Sequence, residues 1–374
     1  MKTRKRIAFS ASSRAFLRSR KQLISDLVRM GHKVFCIVPQ EEGENRQNEF
    51  GAEFYCLPLQ KTGFNPFSDL KFLLKLITLF RRLKIDMTIV YTIKPVIYCS
   101  LAAKIAGVKH ISSVITGLGY AFVNNSFHQK FAGFIASNLY KIALACNQKV
   151  FFLNPDDRDQ FLKIGAVTPK QCAIINGPGV DLDHFNFSPL TSKKTSFVLI
   201  ARMLKEKGIL EFVEAANQVK KAHPEIEFNI VGPIDTGPSA ISAKKLEEVT
   251  RQGPVQYRGY TDDVRNYLRD STVYVLPSYY REGIPRTNLE AMSVGRAIIT
   301  TDTPGCRETV QDGKNGFLIP PRNSNALAEA MLKFIEDPEL AVKMGSASRK
   351  FAEKCFAVNS INQSMMSYLD LLET

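Results

Sequence analysis

No pair of cysteines in this chain has the spacing of a metal clamp or a redox motif. The seven, at 36, 56, 99, 146, 172, 306 and 355, are odd in number and widely scattered, without a Cys-x-x-Cys. Several sit in apolar runs such as Val34-Phe35-Cys36-Ile37-Val38. That reads as reduced, buried thiols of a cytosolic protein, not a disulfide framework or a zinc site. The five histidines, at 32, 110, 128, 184 and 223, form no ligand spacing, so no metal is expected. Low-complexity tracts and short repeats are absent, and a 45% hydrophobic, 23% charged composition is that of a globular chain. Long apolar runs are missing too. The best candidate, residues 70–83, is cut by Lys71, Lys75, Arg81 and Arg82, whereas a membrane span needs about 20 apolar residues. Lys2, Arg4, Lys5 and Arg6 precede an apolar stretch of only residues 7–9, so no signal peptide is expected.

What is present is positive charge, unevenly placed. Residues 1–186 hold 26 Lys and Arg against 13 Asp and Glu, a net of +13, while residues 187–374 hold 24 against 23, a net of +1. A basic first half suits a polyanion; nucleic acid and an anionic membrane surface both satisfy it, and so does a merely soluble basic surface.

Short apolar runs alternate with helical patterns through that half. Residues 6–10, 33–38, 53–57, 87–91, 111–114 and 149–153 read as strands. Residues 15–30, 67–83 and 95–106 read as helices, the first stopped by Gly31. Strands alternating with helices at this spacing predict a parallel sheet covered on both faces. Turn chemistry at Asn176-Gly177-Pro178-Gly179 and a polar stretch at residues 188–196 mark a linker. No Gly-Lys-Ser/Thr follows those glycines, so they form a turn and not a phosphate loop. A second series then begins, with strands at 197–200, 227–231, 255–258, 273–276 and 297–301 and a helix near 210–221. The expected organisation is an α/β chain with a first domain at 1–186, a second at 187–355, and a helical tail at 356–374 that packs back on the first. Two such sheets would face each other across a cleft at the carboxyl ends of their strands.

One segment concentrates chemistry. In Leu276-Pro277-Ser278-Tyr279-Tyr280-Arg281-Glu282-Gly283-Ile284-Pro285-Arg286-Thr287-Asn288-Leu289-Glu290 a strand ends, a loop follows, and Pro285 starts a helix at its first turn. Glu282 falls in the loop and Glu290 inside the helix. Gly283 permits close backbone approach, and the amides after Pro285 leave a helix N-terminus suited to a diphosphate. Two carboxylates beside it can accept hydrogen bonds from sugar hydroxyls. Upstream, Arg202 and Lys207 in Arg202-Met203-Leu204-Lys205-Glu206-Lys207-Gly208 follow a strand, and two cations at a strand end can neutralise negative charge on a ligand.

On these residues the chain resembles the retaining glycosyltransferases of family 4. They combine two Rossmann-like domains in the GT-B arrangement with a Glu-x7-Glu motif, the spacing of Glu282 and Glu290. The wider pattern Glu-Gly-x-Pro-Arg-x-x-Leu-Glu-Ala-Met is far more specific than the pair alone. Gly179-Val180-Asp181-Leu182-Asp183-His184-Phe185 matches the approach to the second domain, so its Asp-x-Asp is read as structural. Pro304-Gly305-Cys306-Arg307-Glu308, with Thr116-Gly117-Leu118-Gly119-Tyr120-Ala121-Phe122, is most similar to bacterial α-1,3-N-acetylgalactosaminyltransferases acting on undecaprenyl-diphosphate sugars.

The resemblance implies a metal-independent transferase without a cofactor, taking a nucleotide sugar as donor. Its partners would be a polyprenyl-diphosphate-linked saccharide and the anionic cytoplasmic face of the inner membrane, to which it binds peripherally, with no nucleic acid. It assigns Arg202 and Lys207 to the diphosphate, Glu290 to ribose hydroxyls and Glu282 to hexose hydroxyls. Gly283, Ile284, Pro285, Arg286, Asn288 and Leu289 line the same donor site, and Tyr260 borders the base. UDP-GalNAc is the implied donor. The acceptor side is where the chain departs from the pattern. Ser10-Ala11-Ser12-Ser13-Arg14 replaces a glycine-rich loop, leaving Ser13 and Arg14 for the acceptor, and Thr116-Gly117 stands where relatives carry a His. Residues 70–84 and 127–149 mix apolar with basic side chains and fit either the headgroup level or an ordinary core-facing helix. A transferase with another donor sugar or a soluble acceptor is one alternative; a same-fold sugar-nucleotide epimerase and a nucleic-acid-binding protein are the others. The epimerase lacks a convincing acid/base set, and the nucleic-acid-binding protein leaves the paired glutamates unexplained.

Overall fold

The structure is a computed structural model describing residues 4–40, 48–59, 65–118, 127–190, 194–237, 239–251 and 253–372. The chain divides into two compact units, the first made of Met1–Ile175 and Asn362–Thr374, the second of Asn176–Ile361.

The first unit is built on strands β1 (Arg6–Ser10), β2 (Lys33–Pro39), β3 (Asn48–Glu49), β4 (Ala52–Leu57), β5 (Met87–Tyr91), β6 (His110–Ile115), β7 (Lys149–Phe152) and β8 (Cys172–Ile174). They form one sheet in the order β3-β4-β2-β1-β5-β6-β7-β8. All neighbours are parallel except the short β3, which folds back on β4. Leaving β3 aside, the order runs outward from β1 in both directions, the reversal that creates a switch point in a Rossmann-type sheet. Apolar residues dominate the longer parallel strands, with buried polar exceptions at Ser10, Thr88, Ser112 and Ser113. Ile7, Phe9, Val34, Phe35, Ile89 and Phe151 are fully buried.

The helix expected at residues 15–30 is two helices, Arg14–Arg18 and Lys21–Arg29. Ser19 ends the first by donating its hydroxyl to the Phe16 carbonyl at 2.6 Å, and Arg20 turns its guanidinium over the rings of Phe16 and Tyr91. Helix Pro66–Leu83 packs Phe72, Leu76, Leu79 and Phe80 inward. It is tied to helix Ile93–Ala106 by a buried cluster in which Asp69 takes Lys94 Nζ at 3.1 Å and the Tyr98 hydroxyl at 2.8 Å. At the other end of the chain, Tyr368 sets its ring edge-on to Phe151 at 6.0 Å, within the first unit.

The second unit holds β9 (Ser196–Ile200), β10 (Glu227–Val231), β11 (Val255–Tyr257), β12 (Val273–Leu276), β13 (Ala297–Thr301) and β14 (Gly316–Ile319), in the order β11-β10-β9-β12-β13-β14. Every pair is parallel. This is the 3-2-1-4-5-6 order of a dinucleotide-binding sheet, with its switch point between β9 and β12.

The boundary expected at 186/187 falls at 175/176. The Ile175 amide still bonds to Phe152 O beside β7, closing the first sheet. From Gly177 onward the chain is built into the second unit. Gly177 abuts the Ile284 side chain, Gly179 has no room for a Cβ against Val358, and the Ser293 hydroxyl donates to Phe185 O at 2.6 Å. Asp181 caps its own turn, accepting the amides of Asp183 and His184 through Oδ1.

Candidate functional site

In the second unit β9 and β12 pair only through Phe197–Val198 and Val273–Tyr274. The pairing ends there, at the switch point, and it is at the carboxyl ends of such strands that open α/β sheets take ligands. The chain after β9 makes a 3-10 turn, Lys205–Lys207, and enters helix Ile209–Ala222 through Gly208 at φ 76°. The chain after β12 runs through Ser278 and Glu282 to helix Arg286–Val294.

Backbone bonds lock the two segments together. Tyr279 and Tyr280 donate their amides to Glu206 O at 2.8 and 3.1 Å, and the Ser278 hydroxyl donates to the same oxygen at 3.2 Å. That clamp brings Lys207 and Glu282, 75 residues apart, into an ion pair in which each side chain is 13% exposed. Glu282 Oε1 also accepts the Ser278 hydroxyl at 3.2 Å, while the Lys207 ammonium lies 5.4 Å from the centre of the Tyr280 ring. Behind Glu282, Gly305 at φ 86° lets two loops touch: a Cβ there would lie 2.6 Å from both Glu282 O and Gly283 O. Cys306 next to it is fully buried, and burial, with the Glu282 charge adding, pushes its thiol up to about 11. It is an inert packing group.

Helix Arg286–Val294 starts one residue later than expected, with Pro285 as its N-cap. Among the described residues no side chain caps this end, so the amides of Arg286 and Thr287 stand at the positive end of the helix dipole without a side-chain acceptor, while Asn288 is fully buried. Tyr274, fully buried, fixes the end in place: its hydroxyl lies 2.6 Å from Thr287 Oγ1 and donates to Ile200 O at 3.2 Å, spanning from β9 to the helix. One turn on, Glu290 is almost wholly buried, with Arg286 Nη2 3.3 Å from its Oε1. Burial pushes the Glu290 carboxyl above the usual range, and Arg286 opposes that shift.

Other expected donor residues are placed differently. Leu289 is fully buried and its amide bonds to Pro285 O, so it supports the helix and offers a ligand nothing. The Asn288 side chain also turns inward, donating to Thr309 Oγ1 at 2.8 Å, and the residue is fully buried. Ile284 packs on Gly177. Arg202 stands in the loop after β9, half exposed, with its Nη1 2.8 Å from Asp235 in the loop after β10. Tyr260, 64% exposed, donates its hydroxyl to Asp262.

The corresponding point of the first unit lies between β1 and β5. The Ser12 amide bonds to Thr92 Oγ1 at 3.0 Å, and Thr92 holds the left-handed φ of 66° that a β-branched residue rarely adopts. Ser13 is the N-cap of helix Arg14–Arg18, its hydroxyl taking the Phe16 amide at 3.1 Å. Arg14, expected to meet a phosphate, is instead buried. Its guanidinium lies 4.9 Å from the Phe54 ring centre and 3.5 Å from Glu49, so it holds the helix to the sheet. Thr116 and Gly117 follow β6, half-buried; Gly119 to Phe122 lie outside the described residues.

The second-unit switch point thus offers cations and amides for a diphosphate, and two carboxylates for hydroxyls. Ser278, Tyr280 and Asp235 had no role in the sequence reading. The first two lie inside the motif segment, while Asp235 becomes visible only once β9 and β10 are known to be neighbours.

Residues 181–351 match the family model of the glycosyl transferases group 1, and residues 6–154 a model described as glycosyl transferase 4-like. The chain is 28% identical over 338 residues to the N,N'-diacetylbacillosaminyl-diphospho-undecaprenol alpha-1,3-N-acetylgalactosaminyltransferase of Campylobacter jejuni, covering 87% of this chain and 88% of that one. It is 27% identical to the UDP-Gal:alpha-D-GlcNAc-diphosphoundecaprenol alpha-1,3-galactosyltransferase of Escherichia coli, over 81% of this chain and 80% of that one. Anabaena Alr3699/HepE, solved with UDP and glucose, superposes with a TM-score of 0.79 at 18% identity, over 98% of this chain and all of the other.

Proposed function

This chain belongs to the glycosyl transferases group 1 family and has the GT-B fold, and from that premise we propose a specific reaction. A hexose or N-acetylhexosamine, GalNAc from UDP-GalNAc in the first instance, passes with retention to a saccharide carried on undecaprenyl diphosphate. The observation that carries the donor half is the Lys207–Glu282 pair at the switch point, beside an uncapped helix N-terminus that leads into Glu290.

The chemistry follows from charge. As the glycosidic bond to the diphosphate lengthens, negative charge collects on the phosphate oxygens. Lys207, Arg202 and the amides of Arg286 and Thr287 stabilise it without a metal ion. Glu282 accepts hydroxyls of the hexose and orients it; Glu290 accepts those of the ribose. The acceptor hydroxyl attacks from the face the diphosphate is leaving, and a diphosphate oxygen takes its proton, so no separate base is needed.

An anionic bilayer fits the surface of the first unit. Helix Pro66–Leu83 presents Phe67, Leu70 and Leu74, 88%, 54% and 56% exposed, along one ridge. Lys71, Lys75 and Arg82 line the shallow groove beside it. Apolar side chains flanked by cations suit the headgroup boundary, where a lipid-linked acceptor is presented.

The test is transfer from a panel of UDP- and GDP-sugars to an undecaprenyl-diphosphate-linked acceptor, in chelator, with anomeric configuration read by NMR. Product with the donor's configuration is expected, and Lys207→Ala and Glu290→Ala are expected to abolish it. Full activity in either variant would sink the site assignment; an inverted product would sink retention.

A further inference from the structure

Both side-chain cations assigned to the diphosphate already have carboxylate partners. Lys207 holds Glu282, a residue with its own task on the sugar. Asp235, which holds Arg202, has no task so far. It lies in the loop after β10, adjacent to the loop after β9 through the Met203 to Ile234 bridge. Asp235 Oδ1 accepts the Gly237 amide at 2.8 Å and Oδ2 accepts Arg202 Nη1 at 2.8 Å. Burial alone would raise its pKa, yet the amides of Gly237 and Thr236 and the Arg202 guanidinium hold it below the usual carboxylate range. The partners are held unequally: the Asp235 side chain is 19% exposed and anchored by its own turn, while that of Arg202 is 54% exposed.

Resting on the donor reading above, we propose that Asp235 is a positioning residue that competes with the donor's diphosphate for Arg202. It parks the guanidinium at the end of β9, yields it when the diphosphate arrives, and takes it back when the nucleoside diphosphate leaves. Three features suit that exchange. A solvent-exposed ion pair is weak, so giving it up costs little. A guanidinium binds a phosphate through parallel charge-assisted bonds, so the exchange runs towards the ligand. Asp235 keeps its amide bonds when Arg202 departs, so no buried carboxylate is orphaned. The carboxylate left beside the ligand then repels it, which speeds release of the spent nucleotide.

Asp235→Asn keeps the acceptor that Gly237 uses and removes the charge. UDP, GDP and ADP are titrated calorimetrically into the wild type, Asp235→Asn, Arg202→Gln and the double variant, at low and high salt. Whichever nucleotide the wild type binds is expected to bind about fivefold more tightly to Asp235→Asn at low salt. The gain should shrink at high salt and vanish in the Arg202→Gln background. Asp235→Glu, which keeps the charge, should match the wild type. Unchanged or weaker binding to Asp235→Asn overturns the proposal, as does an equal gain without Arg202. A wild type that binds none of the three overturns the donor reading, and this proposal with it.

Discussion

Replacing Gly208 by alanine probes how the fold holds Lys207. Gly208 sits at φ 76° and ψ 25°, between the 3-10 turn and the helix that follows. A Cβ there would lie 2.2 Å from Pro277 O and 2.7 Å from Pro277 C, backbone atoms that cannot rotate aside. Two costs add. The left-handed conformation costs a non-glycine residue about 1–2 kcal/mol, and forcing a methyl against backbone costs about 1–3 kcal/mol. The variant should therefore lose about 2–5 kcal/mol of stability. Clearing the oxygen requires the segments after β9 and β12 to part by about 1 Å. That separation draws Lys207 from Glu282, and misplacement on this scale lowers a rate by about 100-fold. Gly313→Ala is the control, since Gly313 has φ 72° in the same unit with nothing within 4 Å of its Cβ position. It should lose only the conformational part and keep full activity. Urea unfolding reads the stability and kcat/KM reads the transfer. A Gly208→Ala protein as stable and as active as Gly313→Ala would refute the argument.

The raised Glu290 pKa predicts a pH dependence with a definite sign. The folded chain holds that proton more tightly than the unfolded one, so stability from this group is present at low pH and lost as pH rises through the folded pKa. On the proposed function, donor binding should run the other way, because it is the ionised form that would accept the hydroxyls. Its Kd should climb as pH falls through a pKa above the ordinary 4.5, and Glu290→Gln should flatten the profile; an unchanged slope in that variant would count against the role. On the first unit, Leu70→Ser with Leu74→Ser should weaken binding to anionic vesicles by at least about tenfold, given about 1.5–3 kcal/mol for each leucine fully buried. Flotation assays read this, and wild-type protein that ignores anionic vesicles would remove the ridge from the account.

The parts of this molecule that were legible in sequence are those whose signal is local. Strands at residues 6–10, 87–91, 227–231, 273–276 and 297–301 have the bounds their sequence runs predict, because apolar residues dominate a strand covered on both faces. Cys172–Ile174 and Gly316–Ile319 at the sheet edges both went unread: the first has only three residues, and the second opens on a glycine directly after the turn residues Asp312-Gly313-Lys314-Asn315. The same division runs through the site. Residues 282–290 are one strand-to-helix connection, so their spacing alone places one carboxylate in a loop and the other in a helix. Arg14 shows the limit of such reading: an arginine just after a strand looks like a phosphate ligand until Phe54 and Glu49, about 40 residues on, are found closing over it.

Strand order is what sequence withholds. Alternating strands and helices are compatible with many orders, and only the observed one sets β9 between β10 and β12. That single fact makes Lys207 a neighbour of Glu282 on one side and Arg202 a neighbour of Asp235 on the other. The two cations look equivalent along the chain, yet they are held by different means. Lys207 is clamped through the Glu206 carbonyl and largely shielded, while Arg202 is exposed and tethered by one carboxylate. On the proposed function, a diphosphate would meet one fixed charge and one movable charge: the fixed one would position the sugar through Glu282, and the movable one would set how long the nucleotide stays.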